Sequence, residues 1–222
     1  MSDRAAWSRS WHAVTLLVIA FAIIAQLVLV VQGVGMLADE IGVAAPLGVR
    51  LVRFFSYFTV QSNLLAAGAA ATLITRPDRD GRTWRVLRVA AIVGMTTTFV
   101  VYMIALRPVL HLEGVARLAD IGFHYLAPVL TIIGWLLFGP WPRIDTRSLL
   151  YQLIGPVGYL VYVLVIGALW GWYPYPFINA SLLGYPNALL NSCIVVTAVL
   201  GIAAAYQLID RKLGGAKAMP LR

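Results

Sequence analysis

The sequence predicts an all-α fold, an integral membrane bundle of six transmembrane helices with both termini cytoplasmic. Three observations carry this reading. Of the 222 residues, 61% are apolar and only 12% charged, whereas soluble domains run near 45–50% apolar and about 25% charged. The charges are separated by uncharged runs of 29, 22, 18, 22 and 62 residues, and roughly 20 apolar residues suffice to cross a bilayer once. The basic residues, finally, fall mostly on alternate connections. A soluble domain and a disordered chain are both excluded by composition, and residues 1–222 are expected to form one six-span domain.

The elements follow in order. The run between Arg9 and Asp39 holds a first span near 11–34. It is too long for a signal h-region and leads into another span, so it reads as an uncleaved anchor. The runs after Arg53, Arg88 and Asp120 give spans near 52–75, 84–106 and 118–140. The 62-residue run from Arg147 to Asp210 is punctuated by Tyr173-Pro-Tyr-Pro-Phe177 and Tyr185-Pro186-Asn187. Such punctuation reads as a loop and splits the run into spans near 148–171 and 184–209. Gly155-Pro156-Val157-Gly158 should kink the fifth helix. Trp7, Trp11, Trp84 and Trp141 fall at inner edges, and Trp170, Trp172, Tyr173 and Tyr175 at an outer one, as interfacial aromatics do.

Orientation comes from the cations. Arg4, Arg9, the five arginines of the 76–88 connection, Arg143, Arg147 and the tail residues Arg211, Lys212, Lys217 and Arg222 make 13 on one side, against Arg50, Arg53, Arg107 and Arg117 on the other. The positive-inside rule then puts both termini in the cytoplasm of a multi-pass cell-membrane protein. The formal charge of +8 is read as topology and attraction to anionic lipid. No nucleic-acid partner is expected.

Polar groups inside hydrocarbon are the best pointers to function. No Asp, Glu, Lys or Arg falls near the middle of a span, which weighs against an ion-coupled transporter. The second span carries Ser56, Thr59, Ser62 and Asn63, with Tyr57 between; Ser56, Thr59 and Asn63 recur at i, i+3, i+7 and should share a helix face. Two readings stand at this point, helix-packing glue or a functional face. The fourth span carries Asp120 and His124, one turn apart, followed by Pro128. Counted from Arg50 and Arg117, Thr59 lies about 13 Å deep and His124 about 10 Å. Asn187, Asn191 and Ser192 of the sixth span enter the same outer third, and a polar pocket opening toward the outer leaflet is expected. Of the three histidines only His124 lies well inside a span, His12 standing at the inner edge and His111 in an outer loop; with the one cysteine, Cys193, the pocket offers neither a zinc site nor a bis-histidine haem, so no metal and no cofactor are expected. A hydroxyl and an imidazole are the minimum kit for nucleophilic acyl chemistry.

At these residues the chain resembles the bacterial six-helix proteins called Pr6Pr, related to the androgen-induced and androgen-dependent transmembrane proteins of animals. The resemblance rests on Phe54-Phe-Ser-Tyr-Phe-Thr-Val-Gln-Ser-Asn63, on the helix bearing His124 and Pro128, and on Trp172-Tyr-Pro-Tyr-Pro-Phe177; with the six-span layout it covers nearly the whole chain. The animal relatives are membrane threonine hydrolases of fatty-acid esters of hydroxy fatty acids. The resemblance thus implies Thr59 as nucleophile, His124 as base and a membrane lipid or fatty-acyl ester as substrate. Where animal members carry Asn-His before the catalytic histidine and Thr after it, this chain has Asp120-Ile121 and Tyr125, and Asp120 is read as orienting His124. Asn63 or Asn191 would donate to the oxyanion, with Ser56, Tyr57, Ser62 and Asn187 around the pocket. The rival reading is a non-catalytic protein, a small transporter or a lipid-binding scaffold. The oligomeric state is left open.

Overall fold

Hydropathy alone makes this chain helical, because a backbone in lipid must satisfy its hydrogen bonds within its own segment. The computed structural model describes residues 2–34 and 45–218. Asp39, where the first uncharged run ends, and Arg222 of the tail lie outside the described residues. Among the described residues there is no strand, and six helical stretches are long and apolar enough to cross a membrane: Asp3–Gln32, Phe58–Thr75, Arg82–Val109, Gly114–Phe138, Thr146–Trp170 and Tyr185–Gly215.

The helices are α1 (Ser2–Gln32), α2 (Leu47–Ser56), α3 (Phe58–Thr75), α4 (Arg82–Val101), α5 (Gly114–Ile121), α6 (Ala127–Phe138), α7 (Thr146–Gln152), α8 (Ile154–Trp170), α9 (Ala180–Leu183) and α10 (Tyr185–Ala218). The first helix starts nine residues before the expected span and the last ends nine residues after it. Arg4, Arg9, Arg211 and Lys212 therefore ride on helical turns that extend past the expected boundaries, as long basic side chains at span ends do.

Prolines explain three of the internal breaks. Pro156 has no N–H for the carbonyl of Gln152, and α7 ends at Gln152. The expected kink is therefore an interruption three residues ahead of the proline. Pro108 and Pro128 likewise leave the carbonyls of Ile104 and His124 without their usual partner. In both places the chain widens into a single π-turn, Tyr102–Leu106 after α4 and Gly122–Leu126 between α5 and α6. There the N–H of Arg107 bonds Tyr102 O, and the N–H of Ala127 bonds Gly122 O. π-bulges of this kind are frequent at functional sites.

The fourth break corrects the expectation of one continuous second span. Tyr57 is extended, with φ −74 and ψ 129, and divides α2 from α3. Neither proline nor glycine marks it. Phe54 packs with Ala22, Val30 and Phe123, while Phe58 meets Tyr159 of α8 edge-on at 5.3 Å. A continuous helix would hold residues four apart on one face, so tertiary packing breaks it. Ser56 consequently does not share a face with Thr59 and Asn63.

The core is built on α4, which packs against α3, α6, α7 and α10, while α1 lies along α3, α5 and α6. Small residues at the crossings, Ala66, Ala69, Ala91 and Ala127, let the backbones approach closely. Gly122 is the tightest of these where it matters for the site. A Cβ on it would lie 2.8 Å from the Cβ of Ala22, so only glycine lets the π-turn bearing His124 seat against α1. The outward faces stay apolar, as with Leu17, Phe21, Ile24 and Val28 of α1, which suits contact with acyl chains.

Candidate active site

The break at Tyr57 makes Thr59 the second residue of α3. The first N–H groups of a helix have no partner within it. The Thr59 N–H donates instead to the Tyr175 hydroxyl at 3.3 Å, and the same hydroxyl lies 3.5 Å from Thr59 Oγ1. Tyr175 belongs to the 171–179 connection. Burial raises its hydroxyl above the ordinary tyrosine value, so it stays protonated at neutral pH and keeps a proton to donate. The ring of Tyr57 meets those of Tyr175 and Trp172 edge-on.

His124 faces Thr59 from the π-turn, its Nε2 3.3 Å from Thr59 Oγ1. Its Nδ1 lies 2.9 Å from Asp120 Oδ1. The other carboxylate oxygen, Oδ2, accepts from the Tyr102 hydroxyl at 2.7 Å and from Arg117 Nη1 at 2.9 Å. Asp120 is 4% exposed. An ionised carboxylate only accepts, so the proton sits on Nδ1 and the lone pair of Nε2 faces the threonine hydroxyl. The ring is further held by Tyr102, stacked on it at 4.0 Å and 13°. Both π-turns thus contribute to one side chain: the first supplies Tyr102, the second His124.

Thr59, His124 and Asp120 line a cavity of about 170 Å³, whose walls include Phe54, Tyr57, Val60, Leu106, Leu110 and Phe123. A second cavity of about 50 Å³ shares Thr59, Leu106 and Tyr175 with the first and runs toward α4, α8 and α10. The site is therefore an apolar chamber with one polar wall, the usual build of a small-molecule pocket.

Among the residues singled out from sequence, the structure brings together Thr59, His124, Asp120, Tyr57 and Asn63. The Asn63 amide, fully buried, donates to Thr59 O at 2.8 Å and Phe123 O at 3.5 Å. It ties α3 to the His124 π-turn and has no N–H aimed at Thr59 Oγ1. Ser62 donates to Thr59 O and meets the Thr98 hydroxyl at 2.8 Å. Ser56 turns away to Val52 O and the Tyr162 hydroxyl. Of these hydroxyls only that of Thr59 meets His124. The sixth span does not deliver what its depth suggested. Asn187 is exposed and donates to Leu183 O, Ser192 donates to Ala188 O, and Asn191 donates to Phe177 O, holding the connection that carries Tyr175. Asn187 and Ser192, each one turn after its carbonyl, satisfy themselves locally, whereas Asn191 reaches across to another segment.

Sequence reasoning missed Tyr102 and the chemistry of Tyr175. The second has a signal, the Trp172-Tyr-Pro-Tyr-Pro-Phe177 motif, which marks a loop, an interfacial belt and the family resemblance without assigning Tyr175 a role. The first had none, because nothing in sequence couples Tyr102 to a carboxylate 18 residues on.

Fold and site together define a multi-pass helical membrane protein with a buried threonine–histidine–aspartate constellation at a helix start. No protein-family model, no curated protein and no solved structure matches the chain.

Proposed function

We propose that the protein is an intramembrane hydrolase of fatty-acyl esters. The observation that carries this is the alignment in which Thr59 Oγ1 meets His124 Nε2 at 3.3 Å while the far ring nitrogen lies 2.9 Å from Asp120. Nucleophile, base and orienting acid stand in the order that acyl transfer needs. His124 Nε2 takes the Thr59 proton as Oγ1 attacks the ester carbonyl carbon. The oxyanion develops beside the Thr59 N–H and the Tyr175 hydroxyl, at the positive end of α3. The leaving alcohol takes the proton from Nε2. A water, deprotonated by the same nitrogen, then attacks the acyl-threonine, releases the fatty acid and restores the hydroxyl. No step calls for a metal or cofactor.

The apolar walls suit an acyl chain, and a cell-membrane location with both termini cytoplasmic would turn the cavity toward the outer half of the bilayer, with membrane lipid as the source of substrate. The decisive experiment is Thr59→Val, which keeps the shape and removes the hydroxyl. It should abolish both turnover of a fluorogenic long-chain ester and covalent labelling by a lipid-like hydrolase probe. The fold should be unharmed, because both contacts of that hydroxyl are long. A Thr59→Val protein that turns over ester at the wild-type rate refutes the assignment and returns Thr59 to helix packing.

A further inference from the structure

The opposite end of the bundle holds a charge that the hydrolase reading does not use. Arg88 lies on α4 six residues in from Arg82, about 9 Å along the helix, and is 7% exposed. Its Nε and Nη2 are buried and have no hydrogen-bond partner among the described residues. These two N–H groups lie side by side on one edge of the guanidinium, the fork that matches an oxyanion. Leaving such a fork buried and empty is strongly unfavourable.

The nearby acids are engaged elsewhere. Asp80 pairs with Arg85 at 2.7 Å and with Arg143 at 3.2 Å, and Asp145 pairs with Arg85 at 3.3 Å. The Arg85 guanidinium holds the Asp80 carboxyl well below the usual carboxylate range. Asp210, fully buried, accepts with Oδ2 from the N–H groups of Arg143 and Ile144 at 2.7 and 2.8 Å, and among the described residues no carboxylate oxygen meets the Nε or Nη2 of Arg88. It lines a small cleft with Trp84, Arg85, Trp135, Pro140 and Arg143. The cleft has a free volume of about 10 Å³, close to that of one water or one oxygen atom. Arg85 and Arg143 have side chains 32% and 34% exposed, so the mouth opens at the span end, where tryptophans and lipid phosphates share a level. Basic pockets between helices at such an end take phospholipid headgroups.

We propose that this cleft is a phosphate-binding site, in which an oxygen of a phosphate group accepts from the Nε and Nη2 fork of Arg88 while Arg85 and Arg143 flank the remaining oxygens. The site is separate from Thr59. Thr98, where α4 meets Ser62 of α3, is ten residues or about 15 Å further along the helix.

The test is a titration of the full-length protein in neutral detergent with phosphatidylglycerol, with diacylglycerol as the phosphate-free control and inorganic phosphate as competitor at matched ionic strength. Wild type should bind phosphatidylglycerol about tenfold tighter than diacylglycerol, the factor expected of hydrogen bonds to a charged group. Arg88→Met should erase that preference and leave diacylglycerol binding unchanged. Arg82→Gln, which removes an exposed charge at the same end, should keep it. Competition by inorganic phosphate that depends on Arg88 assigns the cleft to free phosphate; preference without such competition assigns it to a lipid headgroup. Arg88→Lys, which keeps the charge but not the fork, should lose most of the preference and serves if the methionine variant does not fold. Equal binding of the two lipids by wild type, or equal losses from Arg82→Gln and Arg88→Met, would overturn the proposal.

Discussion

Asp120→Asn tests the constellation most sharply, because the structure dictates which way the new amide turns. In the wild type Oδ1 serves the Nδ1–H of His124, while Oδ2 serves two donors, the Tyr102 hydroxyl at 2.7 Å and Arg117 at 2.9 Å. Asparagine has a single oxygen. Two donors, one of them charged, outcompete one, so the oxygen turns to Tyr102 and Arg117 and the NH₂ faces Nδ1. That nitrogen is then pressed to accept, with only the backbone carbonyl of residue 120 at 3.3 Å left to hold a proton on it; the ring proton shifts toward Nε2, and in that tautomer no lone pair remains for the Thr59 hydroxyl. Restoring the productive tautomer would sacrifice the bonds to Tyr102 and Arg117 and is disfavoured for that reason. The competent fraction falls accordingly, and kcat should drop roughly 10²-fold or more, in the direction seen when other triads lose their carboxylate. Steady-state turnover of a fluorogenic acyl ester by detergent-solubilised protein measures this. The ¹⁵N shifts of the His124 ring report the tautomer independently, and thermal melting should stay close to wild type. A variant that keeps kcat within about threefold of wild type, with the Nδ1–H tautomer intact, would refute the reasoning.

Further outcomes follow from the same geometry. Tyr175→Phe removes the hydroxyl beside Thr59 Oγ1 and should lower kcat roughly 10²-fold with little change in KM, while the orphaned Thr59 N–H costs about 1 kcal/mol of stability; kinetics and melting together separate the two effects. Gly122→Ala introduces a Cβ 2.8 Å from that of Ala22; it should destabilise by about 1–3 kcal/mol and lose activity as His124 is levered away. The Gly122→Ala/Ala22→Gly double variant should recover both, as contacting pairs do in a mutant cycle. Reporter fusions at the tail and in the 76–88 connection should read cytoplasm, and those at 107–117 and 173–181 the opposite side; a tail found outside would invert the orientation.

The architecture is legible in the sequence, because the hydropathy of a spanning helix is a local property. Uncharged runs bounded by Arg53 and Arg76, or by Asp120 and Arg143, mark spans with no knowledge of what packs beside them. The local chemistry of Pro156 likewise announced a disturbance in the fifth helix, and one-turn spacing already put Asp120 beneath His124. What packing alone sets lies between helices. The break at Tyr57 carries no glycine or proline. It exists because Phe54 and Phe58 are pulled into different clusters, and it turns Thr59 from a mid-helix residue into one at a helix start. Depth counting brought Thr59 and His124 to a common level but said nothing of azimuth. It therefore could not tell that Asn187 and Asn191 spend their amides on nearby backbone while Tyr102 and Tyr175 close on the pair. Depth along a span is counted from the sequence; rotation about the helix axis is set by packing against neighbours, and that rotation decides which side chains meet.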